Sequence, residues 1–326
     1  MTLRVLLSAP YMLSNIERFR PAFAKYDIDL IVPEVVERLE EDELLKVAGQ
    51  FDGAICGDDR FTARVLERCA PRLKVISKWG TGIDSIDQVA AAKLGINIRN
   101  TPDAFTDAVA DSVMSYILSF ARLTPWLDGE LKQGSWSKMI GRSLSECTLG
   151  IVGVGRIGKA VAIRAASFGM RLLGNDIIEM PAEFLSTTGL KMVPFEELLT
   201  QSDFVSLNCD LNPTSYHIID SKSFAKIKTG AILVNTARGP LVDEVALVEA
   251  LRTGKIAGAG LDVFEAEPLP EDSSLRQFKN VLLSPHNANS SPSAWERVHW
   301  NTIHNLLDGL GLDAADLKME DYPPLG

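Results

Sequence analysis

The run Leu149-Gly150-Ile151-Val152-Gly153-Val154-Gly155-Arg156-Ile157-Gly158 carries the most specific chemistry in the chain: an apolar strand enters a G-x-G-x-x-G turn and leaves it as a helix. Gly153 suits the tight turn, Gly155 lets a pyrophosphate approach the backbone, and Gly158 lets the helix pack on its strand. Arg156 and Ile157 open that helix, whose first-turn N–H groups and dipole favour an anion. A second strand ends at Asp176, 176 − 158 = 18 residues past the last glycine, where an acidic side chain would hold the ribose hydroxyl of NAD. Ile177, Ile178 and Glu179 follow with no Arg or Lys, so a 2′-phosphate would meet negative charge and no counterion. NAD is therefore expected over NADP. The bland alternative is a βαβ unit that binds nothing.

Three more strand ends carry groups of complementary chemistry. Residues 231–235 lead to Thr236-Ala237-Arg238-Gly239-Pro240, residues 258–261 lead through Asp262 to Glu265 and Glu267, and residues 281–283 lead to Ser284-Pro285-His286. Open parallel sheets bind ligands at the carboxyl ends of their strands, so a guanidinium, a carboxylate and an imidazole converge on one edge. Each has a plain alternative: a surface arginine, a solvated loop glutamate, a strand-end histidine bonded to backbone. Glu265 reads as the solvated member of the two glutamates. His217, His299 and His304 lack such a setting and read as surface or packing residues.

Positioning these groups takes two successive α/β units. Strand-like runs at residues 4–8, 29–32, 53–56, 73–77 and 96–98 alternate with helical stretches, the signature of a parallel sheet. A helix of more than four turns is expected over residues 103–122, with Val109, Val113, Ile117 and Phe120 at helical spacing. A second alternating series follows, with strands at 148–152, 170–174, 204–207, 231–235, 258–261 and 281–283. A helical tail begins near residue 292.

The length of 326 residues suits two domains, and 46% hydrophobic with 23% charged residues is ordinary for a globular chain. A formal charge of −10 argues against nucleic-acid or anionic-membrane partners, both of which need a basic surface. Cys56, Cys69, Cys147 and Cys209 show no metal-ligand spacing and suit a reducing compartment, so no metal and a cytoplasmic location are expected. No apolar run reaches membrane-spanning length.

The runs Asn235-Thr236-Ala237-Arg238-Gly239 through Val242-Asp243, Leu261-Asp262-Val263-Phe264 through Glu267-Pro268, and Ser284-Pro285-His286, set behind the glycine turn, resemble the D-isomer-specific 2-hydroxyacid dehydrogenases. That family includes phosphoglycerate dehydrogenase, hydroxypyruvate and glyoxylate reductases, and D-lactate dehydrogenase. The resemblance covers nearly the whole chain. It implies an α/β fold of two Rossmann-like, doubly wound parallel-sheet domains with the cleft between them. Residues 1–99 plus 290–326 would form the substrate-binding domain and residues 100–289 the NAD-binding domain. It also implies His286 as proton donor and acceptor at the substrate oxygen, Glu267 as its partner and Arg238 as the anchor for the substrate carboxylate and carbonyl. Ala237 and Asp262 fall on the cofactor side, Asp262 facing the nicotinamide carboxamide unless it serves only a turn. Trp79-Gly80-Thr81-Gly82-Ile83-Asp84 resembles the family's substrate-carboxylate loop, with Thr81 and Gly82 at the contact positions and a plain turn as the alternative.

The assigned roles agree with elementary chemistry. Hydride delivery to a 2-keto acid builds negative charge on the carbonyl oxygen, which needs a proton source and a fixed cation. Imidazole titrates nearest neutrality, a carboxylate on its other nitrogen fixes the tautomer and favours the imidazolium, and guanidinium matches a carboxylate. The expected substrate is a small 2-keto or 2-hydroxy acid of the hydroxypyruvate or glyoxylate kind. Phosphoglycerate-type members carry an Arg-Ser pair where this chain has Cys56-Gly57-Asp58-Asp59-Arg60, and Asp58 and Asp59 would repel a phosphate. Phe105 also replaces a usual Asn. The resemblance implies a homodimer: in the family the long helix often serves as the dimer seam, and the apolar face around Val113 and Ile117 permits that. The alternative function is an NAD(H)-binding sensor or corepressor-like interaction protein on the same fold.

Overall fold

A computed structural model describes residues 2–322; Met1 and residues 323–326, the end of the expected C-terminal segment, lie outside them. The described residues divide into two compact units, one drawn from Met1–Phe105 and Ser291–Gly326, the other from Thr106–Ser290.

The first unit is built on β1 (Leu3–Leu7), β2 (Ile28–Ile31), β3 (Gly53–Cys56), β4 (Val75–Lys78) and β5 (Asn97–Arg99). They lie in the order β2-β1-β3-β4-β5, every pairing parallel. β3 and β4 are buried at every residue, as parallel strands covered on both faces must be. Local chemistry sets the helix ends: Thr62 accepts from Val65 N–H ahead of helix Ala63–Cys69, and Asp87 accepts from Ala90 N–H ahead of Gln88–Leu94. Helix Pro292–Gly309 belongs to this unit and crosses the sheet, where the Ser77 hydroxyl donates to Thr302 O at 2.8 Å.

The second unit holds β6 (Thr148–Val152), β7 (Arg171–Asn175), β8 (Lys191–Met192), β9 (Phe204–Leu207), β10 (Ala231–Asn235), β11 (Ile256–Leu261) and β12 (Val281–Leu283). Their order is β12-β11-β10-β9-β6-β7-β8, again all parallel. The order reverses at β6, whose neighbours are β7 and β9, and such a reversal opens a crevice at the strands' carboxyl ends. β8, two residues long, is too short to leave a periodic signal.

Two expectations need correcting. The long helix runs Thr106–Arg122, starting three residues later than its apolar pattern suggested, because Asp103 adopts φ +68° and cannot join a right-handed helix. Val113 and Ile117 are 0% exposed and pack with Leu149, Ile151 and Val161 in the unit's own core. That face is consumed internally and offers no seam to a second copy. One stretch of exposed apolar residues lies further on: Trp136 is 84% and Ile140 97% exposed, with Leu131 and Met139 beside them in sequence.

At the opposite edge from the crevice, Asp203 ties the start of β9 to β6. Its carboxylate accepts from Thr148 N–H (2.8 Å), Arg142 Nη1 (2.9 Å) and Lys228 Nζ (2.8 Å). Burial pushes the carboxyl up, but these donors outweigh it and hold it at about 2. A carboxyl depressed on folding stabilises the fold above its unfolded range and loses that contribution as pH falls toward the folded value. Asp203→Asn should therefore cost on the order of 1–2 kcal/mol at neutral pH and flatten the loss of stability between pH 4 and 2. Urea titrations of both proteins at stepped pH read this; parallel pH profiles would refute it.

Candidate active site

At the end of β6 the glycine turn has the shape its sequence suggested. Gly153 sits at φ +85°, and a Cβ on Gly158 would lie 2.1 Å from Gly153 O, so the helix Arg156–Ser167 packs as closely as a backbone allows. Gly155, by contrast, faces open space: no atom lies within 4 Å of a Cβ built there. It is the N-cap of that helix and offers no side-chain cap. The first-turn N–H groups of Arg156 and Ile157 thus open at a place where a bulky anion fits. Asp176, at the tip of β7, accepts from Val154 N–H at 2.6 Å and from Ile178 N–H at 2.9 Å. Its carboxylate stands beside the turn with lone pairs to spare for a diol. Across the crevice, the buried Asn208 Oδ1 after β9 and Thr236 Oγ1 after β10 have no partner among the described residues. Buried polar atoms are normally paired, so these two fit a ligand that brings hydrogen-bonding groups. The residues present fit a dinucleotide.

The acid–base pair assembles one layer along the sheet. His286 follows β12 at φ +50°, its N–H donating to Asp262 O at 2.7 Å. Its Nδ1 meets Glu267 Oε2 at 3.0 Å, with side chains 20% and 15% exposed. The other Glu267 oxygen accepts from Phe264 N–H at 2.9 Å, so the carboxylate is held from two sides. Asp262 is 1% exposed, and its oxygens accept from Asn287 N–H (2.9 Å) and Ala288 N–H (2.8 Å). It closes the turn that carries His286, and its remaining lone pairs leave room for the expected contact to a carboxamide. Arg238 follows β10 in an extended conformation, its Nη1 donating to Ala237 O at 2.8 Å. The buried Asn235 braces that loop, donating to Arg238 O and accepting from Ala237 N–H.

In the first unit, Thr81 and Gly82 lie on the turn after β4. Thr101 pins the turn: its hydroxyl bonds both Gly80 O (3.0 Å) and Gly80 N–H (3.2 Å). The backbone N–H groups of Thr81 and Gly82 make no hydrogen bond among the described residues, which leaves two donors for an anion. Trp79 donates from its indole to His299 Nδ1 at 2.9 Å, and burial brings His299 down to about 4. His299 is thus a neutral acceptor fixing the residue that precedes the turn. The two acidic residues of the preceding loop behave differently from expectation. Asp59 is 0% exposed, accepting from the Ser8 hydroxyl (2.6 Å) and Leu39 N–H (2.5 Å), and cannot face a phosphate. Asp58 instead pairs with the nearly buried Lys78 at 3.0 Å.

Sequence reading passed over three residues here. His217 and Glu265, read as a surface or packing residue and a solvated one, pair at 2.8 Å. His299 is a buried hydrogen-bond partner 220 positions from Trp79, and no local pattern announces it.

Comparison with known proteins gives a consistent result. Residues 114–288 match the family model described as D-isomer specific 2-hydroxyacid dehydrogenase, NAD binding domain. A glyoxylate reductase of Korarchaeum cryptofilum is 42% identical over 255 residues, 76% of this chain and 76% of that protein. A hydroxypyruvate reductase of Thermotoga maritima is 38% identical, covering 85% of this chain and 90% of that one. The crystal structure of a D-lactate dehydrogenase from Aquifex aeolicus, complexed with NAD and lactic acid, superposes with a TM-score of 0.84 at 27% identity, covering 94% and 95% of the two chains.

Two glycines separate binding from folding. Gly155→Ala should melt within about 2 °C of the parent and bind NADH at least about tenfold more weakly, whereas Gly158→Ala should itself lose several degrees, since overpacking costs about 1–3 kcal/mol. Thermal melts with and without NADH check both, and full NADH affinity in Gly155→Ala would contradict the assignment.

Proposed function

The chain belongs to the D-isomer specific 2-hydroxyacid dehydrogenase family, and from that membership together with the site we infer how it works. It interconverts a small 2-keto acid and the corresponding D-2-hydroxy acid with NAD as the redox partner. The observation that carries the mechanism is the 3.0 Å contact between His286 Nδ1 and Glu267 on the sheet edge that also holds the glycine turn.

Bound NADH supplies the hydride. Arg238 holds the substrate carboxylate and polarises its carbonyl. Within the first unit, the N–H groups of Thr81 and Gly82 are donors suited to a carboxylate. Glu267 occupies Nδ1 of His286, so the proton passed to the nascent alkoxide leaves from Nε2; in the reverse direction Nε2 takes it back. Asp262 keeps that ring in place by closing its turn. Gly153, Gly155, Arg156, Ile157 and Gly158 would hold the pyrophosphate, Asp176 the ribose hydroxyls, and Ala237 would contribute on the cofactor side. With Arg238, Glu267 and His286 all present, the sensor or corepressor reading is not favoured.

The substrate is assigned to the glyoxylate and hydroxypyruvate class. Lys78, the buried cation beside the turn, is already neutralised by Asp58, which leaves it poorly placed for a phosphate. A homodimer is proposed through the stretch around Trp136 and Ile140, whose exposed apolar surface replaces the helix face first expected. A cytoplasmic location is proposed from four unpaired thiols; no helix among the described residues is long and apolar enough to cross a membrane.

His286→Ala should lower the rate of glyoxylate or hydroxypyruvate reduction by at least about a hundredfold with NADH affinity unchanged. Retained turnover would remove His286 from the mechanism. Arg238→Gln should raise KM for the keto acid and lower kcat together, because one cation serves both binding and charge stabilisation; a change in KM alone would restrict it to binding. Efficient use of 3-phosphohydroxypyruvate in preference to the unphosphorylated acids would overturn the substrate class.

A further inference from the structure

Outside the Arg238, Glu267 and His286 set, one residue of the second unit touches both loops that carry it. His217 lies in the connection after β9, at φ +51° and stacked on Tyr216 with ring centroids 4.0 Å apart. Its backbone N–H donates to Pro240 O at 2.9 Å, and two residues on, Ile219 N–H donates to Leu241 O at 3.1 Å. Pro240 and Leu241 form the turn directly after Arg238. The ring reaches the other way: Nε2 meets Glu265 Oε1 at 2.8 Å, two residues before Glu267.

The junction is braced further by a reciprocal pair. Glu244 N–H donates to Glu265 Oε1 at 3.3 Å, and Glu265 N–H donates to Glu244 Oε1 at 2.7 Å. The two loops touch backbone to backbone, since a Cβ on Gly239 would fall 1.9 Å from Phe264 C and O. Glu244, Glu265 and Glu267 make this an acidic corner: burial first, then the charges of Glu265 and Glu267, push the Glu244 carboxyl above its ordinary range. An imidazole donor is the group that corner lacks, and His217 supplies it.

We propose that His217, acting through Glu265, sets the spacing between the Arg238 guanidinium and the Glu267–His286 pair, which makes it a positioning residue for keto-acid reduction. The inference rests on the dehydrogenase reading. Misplacement of a reacting group by about 1 Å can cost on the order of a hundredfold in rate, so a brace that touches no substrate still has kinetic weight.

The test uses the full-length chain with His217→Ala, Glu265→Ala and His217→Gln, the last keeping a nitrogen donor near the position of Nε2. Amide exchange over residues 237–243, kcat and KM for glyoxylate and hydroxypyruvate, and NADH affinity are read on each. Both alanine variants should exchange faster in that segment, raise KM and lower kcat by about tenfold each, and bind NADH within about twofold of the parent. His217→Gln should restore kcat and KM to within about threefold. Exchange and kinetics unchanged in His217→Ala would overturn the proposal. So would a Gln variant as impaired as Ala, or NADH affinity falling in step with turnover. Exchange is read without substrate, so a parent chain that reduces no 2-keto acid defeats the functional reading, and unaltered exchange defeats the brace separately.

Discussion

A single buried carboxylate decides whether this site exists. Asp262 takes the N–H groups of Asn287 and Ala288, and its own carbonyl takes the N–H of His286. The turn it closes holds His286 in a left-handed conformation, which costs roughly 1–2 kcal/mol for a residue with a side chain. Two bonds to a charged acceptor, each worth roughly 1.5–3 kcal/mol, exceed that cost. The ring is therefore aimed at Glu267 by backbone geometry before any ligand arrives. Everything chemical at this edge presupposes that turn.

The parts of the design that could be read in the chain are those governed by short-range rules. Gly153 and Gly158 announce a turn because only glycine tolerates the backbone approach seen there. Arg238, Glu267 and His286 stand after strands whose apolar runs are unmistakable, and parallel topology puts those strand ends on one edge of the sheet. What stayed hidden depends on residues far apart in sequence. His217 and Glu265 are 48 positions apart, Ser8 and Asp59 are 51 apart, and neither pair belongs to a periodic pattern. The apolar face at Val113 and Ile117 was read correctly as buried in character, but periodicity does not say what covers it; here it is the unit's own core.

The charge distribution follows the same economy. A chain with a net charge of −10 must still receive anions. The donors it offers at the helix start after Gly155 and at the Thr81–Gly82 turn are uncharged amides, and the buried Lys78 is offset by Asp58. Amide donors of fixed direction suit a planar carboxylate better than a diffuse electrostatic pull would.

The first unit also buries one carboxyl and one imidazole completely, Asp59 and His299. Burial lifts Asp59 to about 6 and brings His299 down to about 4. As acidity increases from pH 6.5 to 4, an unfolded chain gains a proton on the imidazole that the folded one refuses, which erodes stability. Over nearly the same interval the folded carboxyl accepts a proton that an unfolded aspartate would not yet take, which restores it. The opposing titrations are of comparable size, so the first unit carries an internal counterweight against mild acid, set by how deeply two ordinary side chains are buried.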